Sequence, residues 1–148
     1  MKRLKVGLIV AAMTVFAGVA NAGGVGYIDY AKVIDNYAYA QKVTKEVDAK
    51  GLEMQQYLVD KEKEYKALDT PLKKQAFEQK TAQEFKVKEE AYVNLKTKRE
   101  QEVYNKIREA AKAVMVEHKL DAVMDVRGVF VGGMDITDNV ISKLKGAK

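Results

Sequence analysis

Cysteine and tryptophan are absent from this 148-residue chain, and proline, histidine and serine occur once each, as Pro71, His118 and Ser142. Without cysteine there is no disulfide, no thiol nucleophile and no thiolate for a metal. One histidine cannot complete a usual zinc site. The single serine has no histidine near it in sequence, so a Ser–His nucleophile finds no support. Gly24-Val25-Gly26 lacks the third glycine of a dinucleotide loop and precedes a strand pattern instead of joining strand to helix. No glycine-rich loop ends in a phosphate-binding lysine. The expectation is therefore a protein that is not an enzyme and needs no cofactor, metal or ATP. His118 is expected to cap a helix C-terminus, where it meets the last carbonyls and the helix dipole.

What is present begins with a leader. Lys2, Arg3 and Lys5 precede an apolar run from Val6 to Val19, and Ala20-Asn21-Ala22 is a small-x-small cleavage site. This is the three-part pattern of a secretory signal peptide, cleaved after Ala22. The run is short for a membrane span. The whole chain carries +5, and residues 23–148 carry +2 once those three basic residues are set aside. The basicity is thus largely a targeting device, and a nucleic-acid partner is not expected.

The middle is helical and highly charged. Apolar positions recur in threes and fours at Val33, Tyr37, Ala40, Thr44, Val47, Gly51, Met54, Leu58, Lys61, Tyr65 and Leu68. This seven-residue repeat predicts a helix beginning between Tyr30 and Val33, with a seam weakened by Thr44, Gly51 and Lys61. Asp69-Thr70-Pro71 interrupts it. Two capping residues before a proline predict a turn and a new helix, rather than a kink in one rod. Folding there places residue i opposite about 140 − i, so Met54 meets Phe85, Val47 meets Tyr92 or Val93, and Val33 meets Ile107. The second helix runs to about His118 through Phe85, Tyr92, Leu95, Val103, Ile107, Ala110 and Val114, with a slip between Leu95 and Val103 that resembles a stutter. Such a hairpin reaches roughly 50 Å at about 1.5 Å per residue.

Strand character is confined to the two ends. Val25–Tyr30 is one segment. Leu120–Val126 is a second, Arg127-Gly128 a turn, and Val129-Phe130-Val131 a further short strand. Asp135-Ile136-Thr137-Asp138 caps a terminal helix with Ile136, Val140, Ile141 and Leu144 on one face. The fold class expected is α+β, mostly α: a long antiparallel helical hairpin on a small β-rich oligomerisation body. Residues 23–36 and 112–148 form the body, and 37–111 the arm, with its tip near 69–71. Three short strands and one small helix leave sheet edges and a face open, which predicts self-association.

Tyr57, Tyr65, Phe77 and Phe85 lie on the outer half of the arm and are candidate contacts for an unfolded partner. Phe77 fits the seam least well of the four. Residues 61–88 hold eight basic and five acidic residues. Lys61, Lys63, Lys66, Lys73, Lys74 and Lys80 make a basic tip that would attract acidic clients or anionic lipid head groups. The competing account is a solvated helix face.

The opening segment Val25-Gly26-Tyr27-Ile28-Asp29-Tyr30-Ala31-Lys32-Val33-Ile34 and the closing segment Asp135-Ile136-Thr137-Asp138-Asn139-Val140-Ile141 resemble the Skp (OmpH) family of periplasmic chaperones. So does the strand Leu120-Asp121-Ala122-Val123-Met124-Asp125 before the closing segment. The resemblance covers residues 23–148. It implies a periplasmic homotrimer whose arms enclose a cavity and hold unfolded outer-membrane β-barrel proteins without ATP, with no catalytic residues. A structural coiled-coil spacer or tether of the envelope is the competing expectation. A tether needs an anchor, and residues 23–148 offer neither an apolar span nor a cysteine to lipidate, which favours the chaperone.

Overall fold

In a computed structural model, residues 23–146 are described. The predicted leader and its cleavage site lie outside them. The order of elements is β1 (Val25–Ile28), α1 (Tyr30–Asp35), α2 (Ala38–Lys66), α3 (Pro71–Glu117), β2 (Ala122–Asp125), a 3₁₀ turn (Val126–Gly128), β3 (Met134–Asp135) and α4 (Thr137–Gly146). The chain is mostly helical with a small sheet, as the sequence pattern requires.

β1 is the centre of that sheet, with β2 on one side and β3 on the other, both parallel to it. Parallel neighbours need a long crossover. Between β1 and β2 the whole helical hairpin supplies it. Gly26 and Ile28 are buried. A methyl group on Gly26 would lie 2.7 Å from Leu120 Cδ1, so any larger residue there would displace the buried Leu120 side chain. The core lies where the sheet, α1, α4 and the near ends of α2 and α3 meet. Val33, Ile107, Val114, Ile136 and Val140 are its most enclosed apolar side chains. Each contributes about 1.5–3 kcal/mol by leaving water.

The first helix is not continuous. α1 stops at Asn36, whose Nδ2 donates to the Lys32 carbonyl at 2.8 Å, and α2 starts after Tyr37. The reversal between α2 and α3 occupies residues 67–70, with the Thr70 hydroxyl accepting from the Lys73 amide and Pro71 in the first turn of α3. The helices pair close to the expected register, Tyr39 against Glu102 and Tyr57 against Glu84. The seam itself differs at two positions. Val43 is buried where Thr44 was expected, and Tyr57 turns inward where Leu58 was expected. Val47, Gly51, Met54, Lys61, Tyr65 and Leu68 keep the expected repeat, so both exchanges are local.

Val129-Phe130-Val131 does not form the expected strand. The Asp125 carboxylate accepts from the Arg127 amide (2.9 Å) and Nε (2.8 Å), which curls the chain into the 3₁₀ turn. Gly132 and Gly133, at φ +83° and +89°, then turn it onto the other edge of β1, where Met134–Asp135 is the third strand. Phe130 and Val131 are left in solvent.

Ile107→Ala should lower unfolding free energy by about 2–5 kcal/mol, because it opens a cavity in a fully packed site. Leu58→Ala should cost below about 1 kcal/mol, since Leu58 is 45% exposed. Urea denaturation of the two variants checks the revised seam; equal losses would restore Leu58 to it.

Candidate functional site

Burial along the hairpin is graded. Ala40, Val43 and Val47 on α2 and Val103, Ile107, Ala110, Ala111 and Val114 on α3 are buried. Beyond Val47 and before Val103, no described residue of the arm is fully buried. At this boundary sits a polar clamp. Arg99 donates to Glu46 Oε1 through Nη2 at 3.1 Å and to Glu102 Oε2 through Nη1 at 2.9 Å. The Tyr39 hydroxyl donates to the same Glu102 oxygen at 2.9 Å, and Lys106 Nζ lies 5.2 Å from the Tyr39 ring centre. Hydrogen bonds from Arg99 and then Tyr39 hold the Glu102 carboxyl below its ordinary range. Hydrogen bonds to Glu102 and Glu46 raise Arg99 correspondingly. Arg99 fills the slip between Leu95 and Val103, and the seam continues through a charged side chain there. An apolar template cannot register such a position; the slip itself was the only trace of it.

Outside the clamp the seam is aromatic and basic. The Tyr57 hydroxyl donates to Glu84 Oε2 at 2.8 Å. Partial burial first, and then that bond, raises the Tyr57 hydroxyl's pKa, while the same bond lowers Glu84. Tyr65 and Phe77 pack with ring centres 6.2 Å apart at 47°. Lys61 lies between them and Tyr57, 5.6 Å from the Tyr57 centre and 5.5 Å from that of Phe77. Lys74 covers Tyr65 at 5.2 Å and Lys88 covers Tyr57 at 4.9 Å. Phe85 is half-buried and shares a shallow groove with Leu58, Tyr65 and Phe77. All four candidate aromatics therefore belong to the contact between α2 and α3. Phe77, expected to fit that seam least, is a full member of it, because α3 enters from the turn with Phe77 facing Tyr65.

The basic tip is charge-paired. Lys61 bridges Glu64 (2.9 Å), Lys63 bridges Asp60 (3.5 Å), Lys66 bridges Glu62 (2.5 Å), Lys73 bridges Asp69 (2.8 Å) and Lys80 bridges Glu84 (3.8 Å). Lys74, the sixth, sits over Tyr65. Each exposed pair is worth little, and the eight basic and five acidic residues of 61–88 still leave a local excess of positive charge.

The large apolar side chains most open to water fall into two groups. On the body, Phe130 is 102% and Val131 85% exposed, with Val25, Met124 and Met134 nearby in the sheet. Met124 also borders a groove of about 610 Å³ lined by Ile28, Tyr30, Tyr104, Met115 and Val123. On the arm, Leu72, Val87, Leu52 and Val93 lie outside the seam. His118 closes α3, as expected, and its Nε2 lies 3.4 Å from Asn139 Nδ2 of α4.

Residues 24–144 match the family model described as outer membrane protein (OmpH-like). Among solved structures, the chain is similar to a candidate outer membrane chaperone (OmpH-like) from Caulobacter crescentus CB15, at 17% identity and a TM-score of 0.41, over 85% of this chain and 86% of that one. No curated protein matches the sequence.

The lowered Glu84 and Glu102 set a pH dependence. A carboxylate whose folded-state pKa is depressed contributes stability above its unfolded pKa and loses it as pH falls through the folded value. Thermal melts should hold level near neutrality and decline below the ordinary glutamate value of 4.5. Glu102→Gln should melt lower at pH 7 and lose less on acidification; a variant with the parent's full acid slope would remove the clamp from this role.

Proposed function

Because the chain belongs to the OmpH-like outer membrane protein family, we propose that it is a holdase of the periplasm, which binds unfolded outer-membrane β-barrel proteins between helical arms and prevents their aggregation without ATP. The observation that carries this reading is the graded arm. A well-packed body holds a long hairpin whose outer two-thirds has no fully buried residue. Such an arm can bend and shear at little cost in packing, since few apolar contacts are lost when its helices shift. An unfolded barrel strand exposes apolar side chains whose burial is favourable wherever it occurs. Many shallow contacts on a compliant arm suit clients of different sequence better than one shaped pocket would.

Self-association into a homotrimer belongs to the same proposal. The sheet has two open edges, and the 129–133 loop presents Phe130 and Val131 to water. Open edges and an exposed apolar loop call for a partner surface. A groove on one copy and a projecting loop on the next make a head-to-tail contact, which closes into a ring when the rotation fits.

Light scattering on residues 23–148, alone and after rapid dilution with an unfolded outer-membrane β-barrel protein, tests the reading. A trimer that keeps the client in a soluble complex without nucleotide is expected. A chain that leaves the client to aggregate would overturn it in favour of a structural spacer. Phe130→Asp should shift the trimer to monomer at micromolar concentration by placing a charge in the apolar contact; a mass unchanged from the parent would move the interface elsewhere.

A further inference from the structure

Gly23 stands just before the first rung of the sheet. The Asp121 amide donates to the Gly24 carbonyl at 3.0 Å, one step before Val25 pairs with Ala122. The Asp121 side chain folds back over Gly23. A methyl group on Gly23 would lie 2.5 Å from Asp121 Cγ and 2.8 Å from Oδ2, and closer still to Oδ1. The Gly23 nitrogen is two bonds from that point, so it lies within about 5 Å of the carboxylate. Asp125, on the same strand, is taken by Arg127. Among the described residues the Asp121 carboxylate has no such partner. His118 and Lys119 are the ionisable groups in the groove that Gly23 and Gly24 help to line.

We propose that Asp121 is the receiving site for the α-ammonium created when the leader is removed, so that processing itself adds an ion pair at the base of the molecule; the inference goes beyond the holdase reading and rests on cleavage after Ala22. In the precursor the Gly23 nitrogen is a neutral peptide N–H. Cleavage turns it into a charged group with three donors, as on a lysine side chain. Rotation about the single Gly23 Cα–C bond then swings it toward either carboxylate oxygen. The tether is short, because Gly24 is already held by the Asp121 amide, so little freedom is lost in forming the pair. Lys119 reaches the same carboxylate only by ordering a long side chain, which costs more rotamer freedom. Gly23 is half-buried and Asp121 exposed, so the pair has the modest strength of a surface one. Its place gives it weight. It fastens β1 to β2, which are separated in sequence by the whole hairpin, and the precursor lacks it. The folded state therefore gains this stability only once the leader has gone. An ammonium whose folded-state pKa is raised by a carboxylate contributes fully below its unfolded value of about 7.7–8.0, and the contribution is lost as pH rises through the folded value.

The test is a cycle of four proteins, each residues 23–148: the parent and Asp121→Asn, each with a free Gly23 amine and with that amine acetylated. Asp121→Asn keeps the backbone amide that holds Gly24. His118 and Lys119 are the same in all four, so their titration cancels. In thermal melts at pH 7, acetylation should lower the parent's Tm by roughly 1–4 °C and that of Asp121→Asn by less than about 1 °C. At pH 10 the parent's loss should vanish, because the free amine is then neutral. By NMR of the ¹³C-dimethylated proteins, the parent's terminal amine should titrate at higher pH than that of Asp121→Asn. An equal loss in both backgrounds, a loss unchanged at pH 10, or the same amine titration in parent and variant would overturn the pair. Sequencing the N-terminus of exported protein checks the premise, with Gly23 expected first. Any other first residue would overturn the leader reading, and with it the coupling to processing. The cycle uses chains made to begin at Gly23, so it reads the pair independently.

Discussion

The structure depends on a knot of hydrogen bonds around Thr137. Its hydroxyl donates to Asp135 Oδ1 at 2.5 Å and accepts from the Asp29 amide at 3.0 Å, across 108 residues of sequence. The Ile136 amide donates to the Tyr27 carbonyl at 3.0 Å, and Asp29 caps α1 through the Lys32 amide. One buried hydroxyl thus joins the end of β1, the start of α1 and the start of α4. Thr137 is the buried polar residue of the described core, and both of its capacities are used, which is the condition for such a group to stabilise rather than cost. A helical hairpin cannot close its own open end. This node does so, and it fixes the direction in which the arm leaves the body. Lys32 and Asp138, bridged at 2.9 Å, extend it to the surface.

Inside the node the molecule behaves as a packed domain, and outside it the rules change. Near the body, α2 and α3 meet through valines, alanines and isoleucine that leave water almost completely. Past the clamp they meet through tyrosine, phenylalanine and lysine side chains that remain partly wet. Desolvation is incomplete there, so each contact is worth a fraction of its value in a core. The clamp marks the transition and pins the register, because sliding α2 along α3 would part Arg99 from Glu46 and Tyr39 from Glu102. Partly exposed charge pairs add little net stability. Their geometric demand is what matters here, as with a polar residue in a coiled-coil seam.

Much of this was legible in the sequence. The antiparallel hairpin followed from period, charge and a capped proline, and the fold class from strand-forming residues confined to the two ends. The closing motif Asp135-Ile136-Thr137-Asp138 and the opening Tyr27-Ile28-Asp29 stood out as separate signals; in space they are one. Two readings failed for the same physical reason, that side chains near in sequence can override a pattern. Asp125 captures Arg127 and diverts Val129-Phe130-Val131 from a strand that its composition favours. Asn36 ends α1 from within a heptad run. The clamp was hidden because Glu46, Arg99 and Glu102 look like surface charges until α2 and α3 are brought together. Phe77 was misjudged because seam membership near a turn depends on the angle at which the second helix enters, which the repeat does not encode.

The proposed holdase, working without an energy source, would have to bind tightly enough to compete with aggregation and loosely enough to let go. One deep pocket fails this demand, since release is governed by the slow breaking of a single strong contact. In the proposed trimer, several arms with shallow contacts would meet it differently. Each contact opens quickly, and capture persists because the others raise the local concentration of the arm around the client. Release then needs no signal: a folding step that removes apolar surface from reach dissolves the contacts one by one. That logic requires the arm to be the weak part and the body the strong part. Burial is distributed in that order here, from enclosed side chains such as Val33 and Ile136 at the base to Leu72 standing in solvent near the tip.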